Sequence, residues 1–428
     1  MSEMELYYPA ALDCFGLHLI SVVKVRSYIF TGPKDDEICI RVIGMHQGKI
    51  VFIVRNFPPE VGGIGQFMYD IASALPPDQF QIIGFPVSGW EVFDTQQVFE
   101  ITRLGIPPRW IPLFDKKIRL LLPFYFYSLL RAKKMGLLVC MQANITFLSV
   151  AWLIRWIRGI PYGVFLHGYD VMYPQTRNIV YRSLYNALLR TAQFVFPNGR
   201  TTESVAHKVG VDTDKIHVIY PCVNPSKLVA QTPQEELRKR YGLVEKRCIL
   251  TVGRLVKRKG YDLVIRALPE ILKMIPEAHY LVVGGGDMDY LSTLVTELKL
   301  DDHVTFVGPK SHAEVMDFYS ICDVFVMITR ELEKGDIESF GIVYLEANYF
   351  AKPVVAGRAG GVEDAVVHGK TGILVDSQDP KDVSAVIIRI MNDFELSEKL
   401  GEAGKIRVSE HFTNIAAARN LLSALSQD

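Results

Sequence analysis

Apolar and polar positions along this chain alternate between two periods. Short, nearly continuous apolar runs fall at 49–54, 82–85, 136–140, 163–167 and 194–197, and each reads as a buried strand. Longer stretches with helical spacing of apolar residues lie between them. The pattern breaks at Tyr220-Pro221-Cys222-Val223-Asn224-Pro225, where two prolines favour an extended linker. It then restarts, with runs at 248–252, 280–283, 304–306, 324–327, 353–356 and 372–375. Strands alternating with helices predict a parallel sheet with crossover connections. The expected fold is therefore α/β, with two doubly wound, Rossmann-like domains facing a cleft. Their expected bounds are 49–222 and 223–412, and 413–428 is expected to be a helix that crosses back onto the first domain. Residues 1–48 fit neither unit. They hold two apolar patches around Gly32-Pro33 and read as an N-terminal extension of unclear structure.

Composition narrows the classes of partner. Half of the 428 residues are apolar, enough for large cores, and 47 Lys plus Arg balance 47 Asp plus Glu. No global field draws the chain to nucleic acid or to a membrane, so no nucleic-acid partner is expected and any membrane contact is local. The cysteines (Cys14, Cys39, Cys140, Cys222, Cys248, Cys322) are scattered, with no Cys-x-x-Cys. That is neither a disulfide framework nor a zinc site, and it suits a reducing cytoplasm. No apolar run reaches the roughly 18 residues of a membrane span. No basic region followed by a clean apolar core opens the chain, so no signal peptide is expected.

Open parallel sheets bind ligands at the carboxyl ends of their strands, which directs attention to four junctions. The first is FPPEVGGIG at 57–65, where Gly62 and Gly63 let backbone approach a ligand at a helix N-terminus. It is not G-x-G-x-x-G, and no acidic residue ends the second strand, so NAD is disfavoured. The second is His167-Gly168-Tyr169-Asp170, where His167 ends a strand and can bond a sugar hydroxyl, although a lone histidine is more often structural than catalytic. The third is GRLVKRKG at 253–260. Its basic side chains, a planar fork and point charges, suit a diphosphate of charge about −2. The fourth runs from Glu338 through Ser339-Phe340-Gly341 into an apolar helix carrying Glu346. There the N–H groups of Phe340, Gly341 and Ile342 would face a phosphate, aided by the helix dipole. If both glutamates were helical they would lie about 12 Å apart along the axis, outside the roughly 5–9.5 Å range of glycosidase pairs. Asp287-Met288-Asp289 looks like a metal motif but begins a helix, where Asp serves as a cap. No metal or other cofactor is expected, because the basic loop would do the metal's work. A stretch of basic and aromatic residues, from Lys116 and Lys117 through Lys133 and Lys134 to Trp152, Arg155, Trp156 and Arg158, suits an anionic lipid surface, and slightly better a core helix with basic flanks.

These four motifs, in this order, resemble those of retaining glycosyltransferase family 4, from about Lys49 to the end of the chain. The resemblance implies the two-domain GT-B fold, with an acceptor-side first domain and a nucleotide-sugar-binding second domain. It implies that Glu338 meets the donor sugar, Glu346 the ribose, and His167 the sugar's neighbourhood. Arg254 and Lys259 would hold the diphosphate, leaving Lys257 and Arg258 solvated. Gly62, Gly63, Phe340, Gly341 and Ile342 would complete the donor site. The stretch MITRELEKGDIESFGIVYLEA, with GRLVKRKG and FPPEVGG, is similar to the phosphatidylinositol-mannoside mannosyltransferases. Ser339 departs from the usual Gly of that subgroup, and 348–352 is bulkier than its usual small-residue run. The favoured expectation is a metal-independent transferase moving mannose from GDP-mannose to a lipid-linked or glycan acceptor, cytoplasmic and at the inner face of the membrane. The alternatives are transfer from a UDP-sugar, an epimerase or hydrolase on the same fold, and a non-catalytic sugar-nucleotide binding protein.

Overall fold

Six buried segments of the first half form one parallel sheet, and six of the second half form another. The structure, a computed structural model, describes residues 48–60, 62–104, 126, 129–130, 134–332 and 337–426. The first 47 residues, Val61, the basic residues from Lys116 to Lys133, and Gly335 lie outside the described residues.

The first sheet comprises β1 (Lys49–Ile53), β2 (Phe80–Gly84), β3 (Glu100–Arg103), β4 (Met135–Cys140), β5 (Tyr162–Leu166) and β6 (Phe194–Pro197), in the order β3-β2-β1-β4-β5-β6. The second comprises β7 (Arg247–Val252), β8 (Ala278–Val283), β9 (Val304–Gly308), β10 (Val324–Met327), β11 (Val354–Gly357) and β12 (Ile373–Val375), in the order β12-β11-β10-β7-β8-β9. Each sheet winds outward from its centre in one direction and then in the other. The two switch points fall between β1 and β4 and between β7 and β10. Crevices open there, beyond the carboxyl ends of the strands. β4 is buried along its whole length, as a strand covered by helices on both faces must be.

Two elements differ from the sequence reading. β3 carries no apolar run, because it is a short edge strand with charged ends. Its Arg103 is buried and donates to Phe85 O at 2.9 Å, Pro58 O at 2.6 Å and the Asp94 carboxylate. The helix after β1 runs over Gly63–Ala72 and stops short of Leu75. Pro76 and Pro77 follow, and the residue before a proline avoids helical geometry.

The chain crosses between the sheets twice, side by side. Val223 N–H donates to Phe412 O and Asn414 N–H donates to Val223 O, both at 2.8 Å. The helix Asn414–Leu425 then buries Leu421, Leu422 and Leu425 in one core with Phe52, Phe67 and Ile71 of the first sheet's unit. Among the described residues, no helix is long and apolar enough to cross a membrane.

Candidate active site between the sheets

Beyond β7 the chain turns at Gly253, passes Arg254, and makes a single 3-10 turn over Lys257–Lys259 before the helix Tyr261–Met274. With about three residues per turn, successive side chains diverge by roughly 120°. Lys257 points outward, with its ammonium 5.7 Å from the centre of the Tyr290 ring. Arg258 and Lys259 turn inward onto Glu338. Lys259 Nζ lies 3.3 Å from Glu338 Oε2, and the Arg258 guanidinium donates to the same oxygen. All three side chains are at most 15% exposed. Arg258 is therefore not solvated, which corrects the sequence reading. Arg254 stays exposed, within electrostatic reach of Lys259.

The electrostatics follow from this packing. Burial alone would raise the Glu338 carboxyl, but Lys259 and Arg258 together outweigh it and hold it below the ordinary carboxylate value. Burial pulls the Lys259 ammonium below its ordinary value, and Glu338 offsets only part of that because Arg258 and Arg254 repel it. Three cations against one carboxylate leave two positive charges at this junction. Such a surplus favours an anion.

The Glu338 loop is held from two sides. Gly361 N–H donates to Glu338 O at 3.0 Å. The buried Phe340 ring packs 5.9 Å from both Tyr220 and Phe412 at the crossing between the sheets. The Phe340 ring thus supports the crossing. Gly341 caps the helix Ile342–Tyr349 without any side-chain hydrogen bond. Tyr344 N–H donates back to Gly341 O at 3.1 Å, while the N–H groups of Ile342 and Val343 keep their donor capacity at the positive end of the dipole. Met327, ending β10, lies beside both features. Its Sδ is 3.3 Å from Lys259 Nζ, and its Cε is 3.6 Å from where a side chain on Gly341 would begin. Farther along the helix, buried Glu346 accepts from Tyr319 Oη at 2.7 Å and from His312 Nε2 at 3.0 Å. The hydrogen bond to Glu346 raises the His312 pKa.

On the first sheet's side, His167 Nε2 is 2.8 Å from Met141 O. A carbonyl only accepts, so Nε2 carries the proton and Nδ1 remains an acceptor in the neutral ring. Burial lowers the His167 pKa, against the opposing pull of Asp170, so the neutral form prevails near pH 7. The Phe67 ring packs edge-on at 5.8 Å. Gly62 and Gly63 open the helix Gly63–Ala72, and Gly63 has nothing within 4 Å of the place its side chain would occupy. The steric requirement falls instead on Gly65, where a Cβ would sit 2.1 Å from Asn56 O.

The two sides meet at Gly168. Its φ is +104°, and a Cβ there would lie 2.7 Å from the Ser339 Cβ. The structure thus brings the His167 corner against the loop that carries Glu338, with Arg258, Lys259 and Gly341 around it. Gly62 and Gly63 lie on the first sheet's side, and Glu346 lies deeper on the second. Sequence reasoning missed Arg258, Tyr319 and His312. The last two sit seven residues apart on the helix His312–Ile321, hence on one face, which was the available signal. Asp287 and Asp289 do not cap: the helix Asp289–Glu297 begins after Met288, with no side-chain cap bond, and Asp289 merely lies in its first turn.

Two facing doubly wound sheets, with a cationic strand-to-helix loop opposite an uncapped helix N-terminus, define a class of proteins built around an anionic ligand. The model for Glycosyltransferase Family 4 matches residues 61–227, and that for Glycosyl transferases group 1 matches 233–407. The chain belongs to the family 4 glycosyltransferases of the GT-B fold. It is 35% identical over 198 residues to the GDP-mannose-dependent alpha-(1-6)-phosphatidylinositol monomannoside mannosyltransferase of Mycolicibacterium smegmatis, across 46% of this chain and 49% of that one. The chain thus spans about half the length of that relative. It is 24% identical over 389 residues to the Corynebacterium glutamicum GDP-mannose-dependent mannosyltransferase acting on the monoacylated phosphatidylinositol monomannoside, covering 85% of this chain and 94% of that one. The solved structure of Anabaena Alr3699/HepE in complex with UDP superposes with a TM-score of 0.73 at 21% identity, over 89% of this chain and 100% of that one.

Proposed function

We propose that this protein is a retaining hexosyltransferase that moves mannose from GDP-mannose to a lipid-linked or glycan acceptor, without a metal ion, as a peripheral protein at the cytoplasmic face of a membrane. The observation that carries this reading is the Arg254, Arg258 and Lys259 cluster, which keeps a positive surplus after Glu338 is counted. The bond between the sugar's anomeric carbon and the diphosphate breaks, and the electron pair leaves with the diphosphate. The three cations and the first turn after Gly341 stabilise that developing charge, a role that preorganised donors fill well in a water-poor cleft. The acceptor hydroxyl attacks from the same face and passes its proton to the departing diphosphate. His167 Nδ1 accepts from a donor-sugar hydroxyl, Glu338 orients the sugar through its free oxygen, and Glu346 reaches the ribose.

Mannose and a phosphatidylinositol-type acceptor are favoured because the two mannosyltransferase relatives carry them in their names. The second reading, a UDP-glucose donor, draws on the neighbour solved with UDP-glucose. Titration calorimetry separates the two: GDP should bind more tightly than UDP, and the reverse order moves the assignment to the UDP-sugar. Activity should survive EDTA, and NMR of the product should show the donor's anomeric configuration. Loss with EDTA that manganese or magnesium restores, or an inverted product, contradicts the proposed chemistry.

A further inference from the structure

The first sheet's unit exposes large apolar side chains on three adjoining helices: Ile145–Arg158, Tyr169–Gln175 and Ile179–Arg190. Trp156 is 77% exposed and Val180 75%, and Trp152, Tyr169, Ile179 and Leu184 are also uncovered. Side chains of this size uncovered together mark an interaction surface. Charge gives its character. Between 145 and 190 the chain holds five arginines (Arg155, Arg158, Arg177, Arg182, Arg190) and one acid, Asp170. Asp170 is turned inward, accepting from the N–H groups of His167 at 2.9 Å and Ala143 at 3.0 Å. A hollow of about 490 Å³ opens between the last two of these helices and the neighbouring Arg200–Lys208. Met172, Val205 and Val209 form its apolar wall, and Arg182 and Lys208 stand at it with no carboxylate in the lining.

We infer that this surface is the protein's seat on an anionic bilayer, with the hollow taking a phospholipid phosphate between Arg182 and Lys208 and the tryptophans and aliphatic side chains entering the headgroup region. Aromatic and arginine side chains around an apolar face are the chemistry of such an interface. Charge complementarity favours this occupant. A second copy docked by two-fold symmetry would set the same arginines against each other. The surface also borders the cleft: Tyr169 follows Gly168, which abuts Ser339. A lipid acceptor in the leaflet that faces the protein would thus lie beside the cleft mouth. The inference deepens the lipid-acceptor reading and rests on it.

The test is co-flotation of the full chain with vesicles of phosphatidylcholine alone or mixed with phosphatidylglycerol, in the absence of donor and acceptor. The wild type should float with the mixed vesicles only, less so as salt rises. The double variant Arg182→Glu with Lys208→Glu should bind at least about tenfold more weakly, with GDP binding unchanged as a control for folding. Trp156→Ser should also weaken binding, at low and at high salt. Wild type that ignores the mixed vesicles, a charge-reversed variant that floats undiminished, or sedimentation showing a dimer that Trp156→Ser dissolves would each overturn the inference. Transfer to a detergent-dispersed lipid is scored separately, so a wrong acceptor class shows there without altering flotation.

Discussion

Arg258, Lys259 and Glu338 form a largely buried charged cluster at the candidate site, and their neighbours set how it behaves. Truncating Arg258, Lys259 or Arg254 to Ala should each lower transfer by about 10²–10³-fold, the loss that follows removal of one oriented stabiliser of developing charge. Steady-state rates at saturating donor check this, and near wild-type rates in all three variants would remove the cluster from the mechanism. The sequence displayed the charges but not their direction. Lys257, Arg258 and Lys259 look alike in a string, and only the 3-10 turn decides that the first faces solvent while the others face the carboxylate. His279 offers a test away from the site. Burial, with repulsion from Lys246 and His303, brings its pKa down to about 4, against an unfolded value of about 6.5. Between those values the unfolded chain holds a proton that the folded chain lacks. Stability should fall as pH falls through that window and level off below it. Thermal unfolding followed against pH should show a shallower decline for His279→Gln, and superimposable curves would contradict the assignment.

At the scale of elements, the glycine-rich turn after β1 sets a tightly packed position, Gly65, beside an open one, Gly63. Gly65→Ala forces a Cβ against Asn56 O, a backbone atom that cannot swing away, and should cost about 1–3 kcal/mol of stability. Gly63→Ala meets open space at the first helical position. It should leave the melting temperature near wild type while weakening donor binding, if a ligand fills that space. Equal stability loss in both variants, measured by denaturant titration, contradicts this division. The sheets were legible because strands such as β4 and β10 are continuous apolar runs bounded by turns. β3 was not, because Glu100 and Arg103 flank only two residues and its burial depends on Arg103 finding Asp94 and two carbonyls elsewhere in the chain. The contact of Gly168 with Ser339 was equally hidden. It joins residues far apart in sequence, and no local pattern encodes a meeting of two domains.

At the scale of the whole molecule, the sheets are tied by the paired crossings at Val223 and Asn414 and by two buried carboxylates, Asp70, which pairs with Lys227 at 2.6 Å, and Asp364. Asp364 is 4% exposed, accepts from Arg200 N–H at 2.7 Å and pairs with the Arg200 guanidinium, so it serves the helix Arg200–Lys208 from the other domain. Its own segment is steadied by Arg407, which donates to Asp364 O and Ala365 O at 2.8 Å. Asp364→Ala should loosen the approach of the domains. Small-angle scattering should then show a larger radius of gyration without donor, and the apparent KM should rise; an unchanged radius and KM would leave the contact incidental. The central claim is that the cleft between the sheets transfers a sugar from a nucleotide to a lipid. The most direct measurement is a screen of GDP- and UDP-sugars with the purified full chain, scoring nucleoside diphosphate release with and without phosphatidylinositol-type acceptors, in parallel with Lys259→Ala. The expected result is GDP release from GDP-mannose that depends on the acceptor, yields a mannosylated lipid and is lost in the variant. Absence of acceptor-dependent release from every nucleotide-sugar, or release unaffected by Lys259→Ala, would contradict the account.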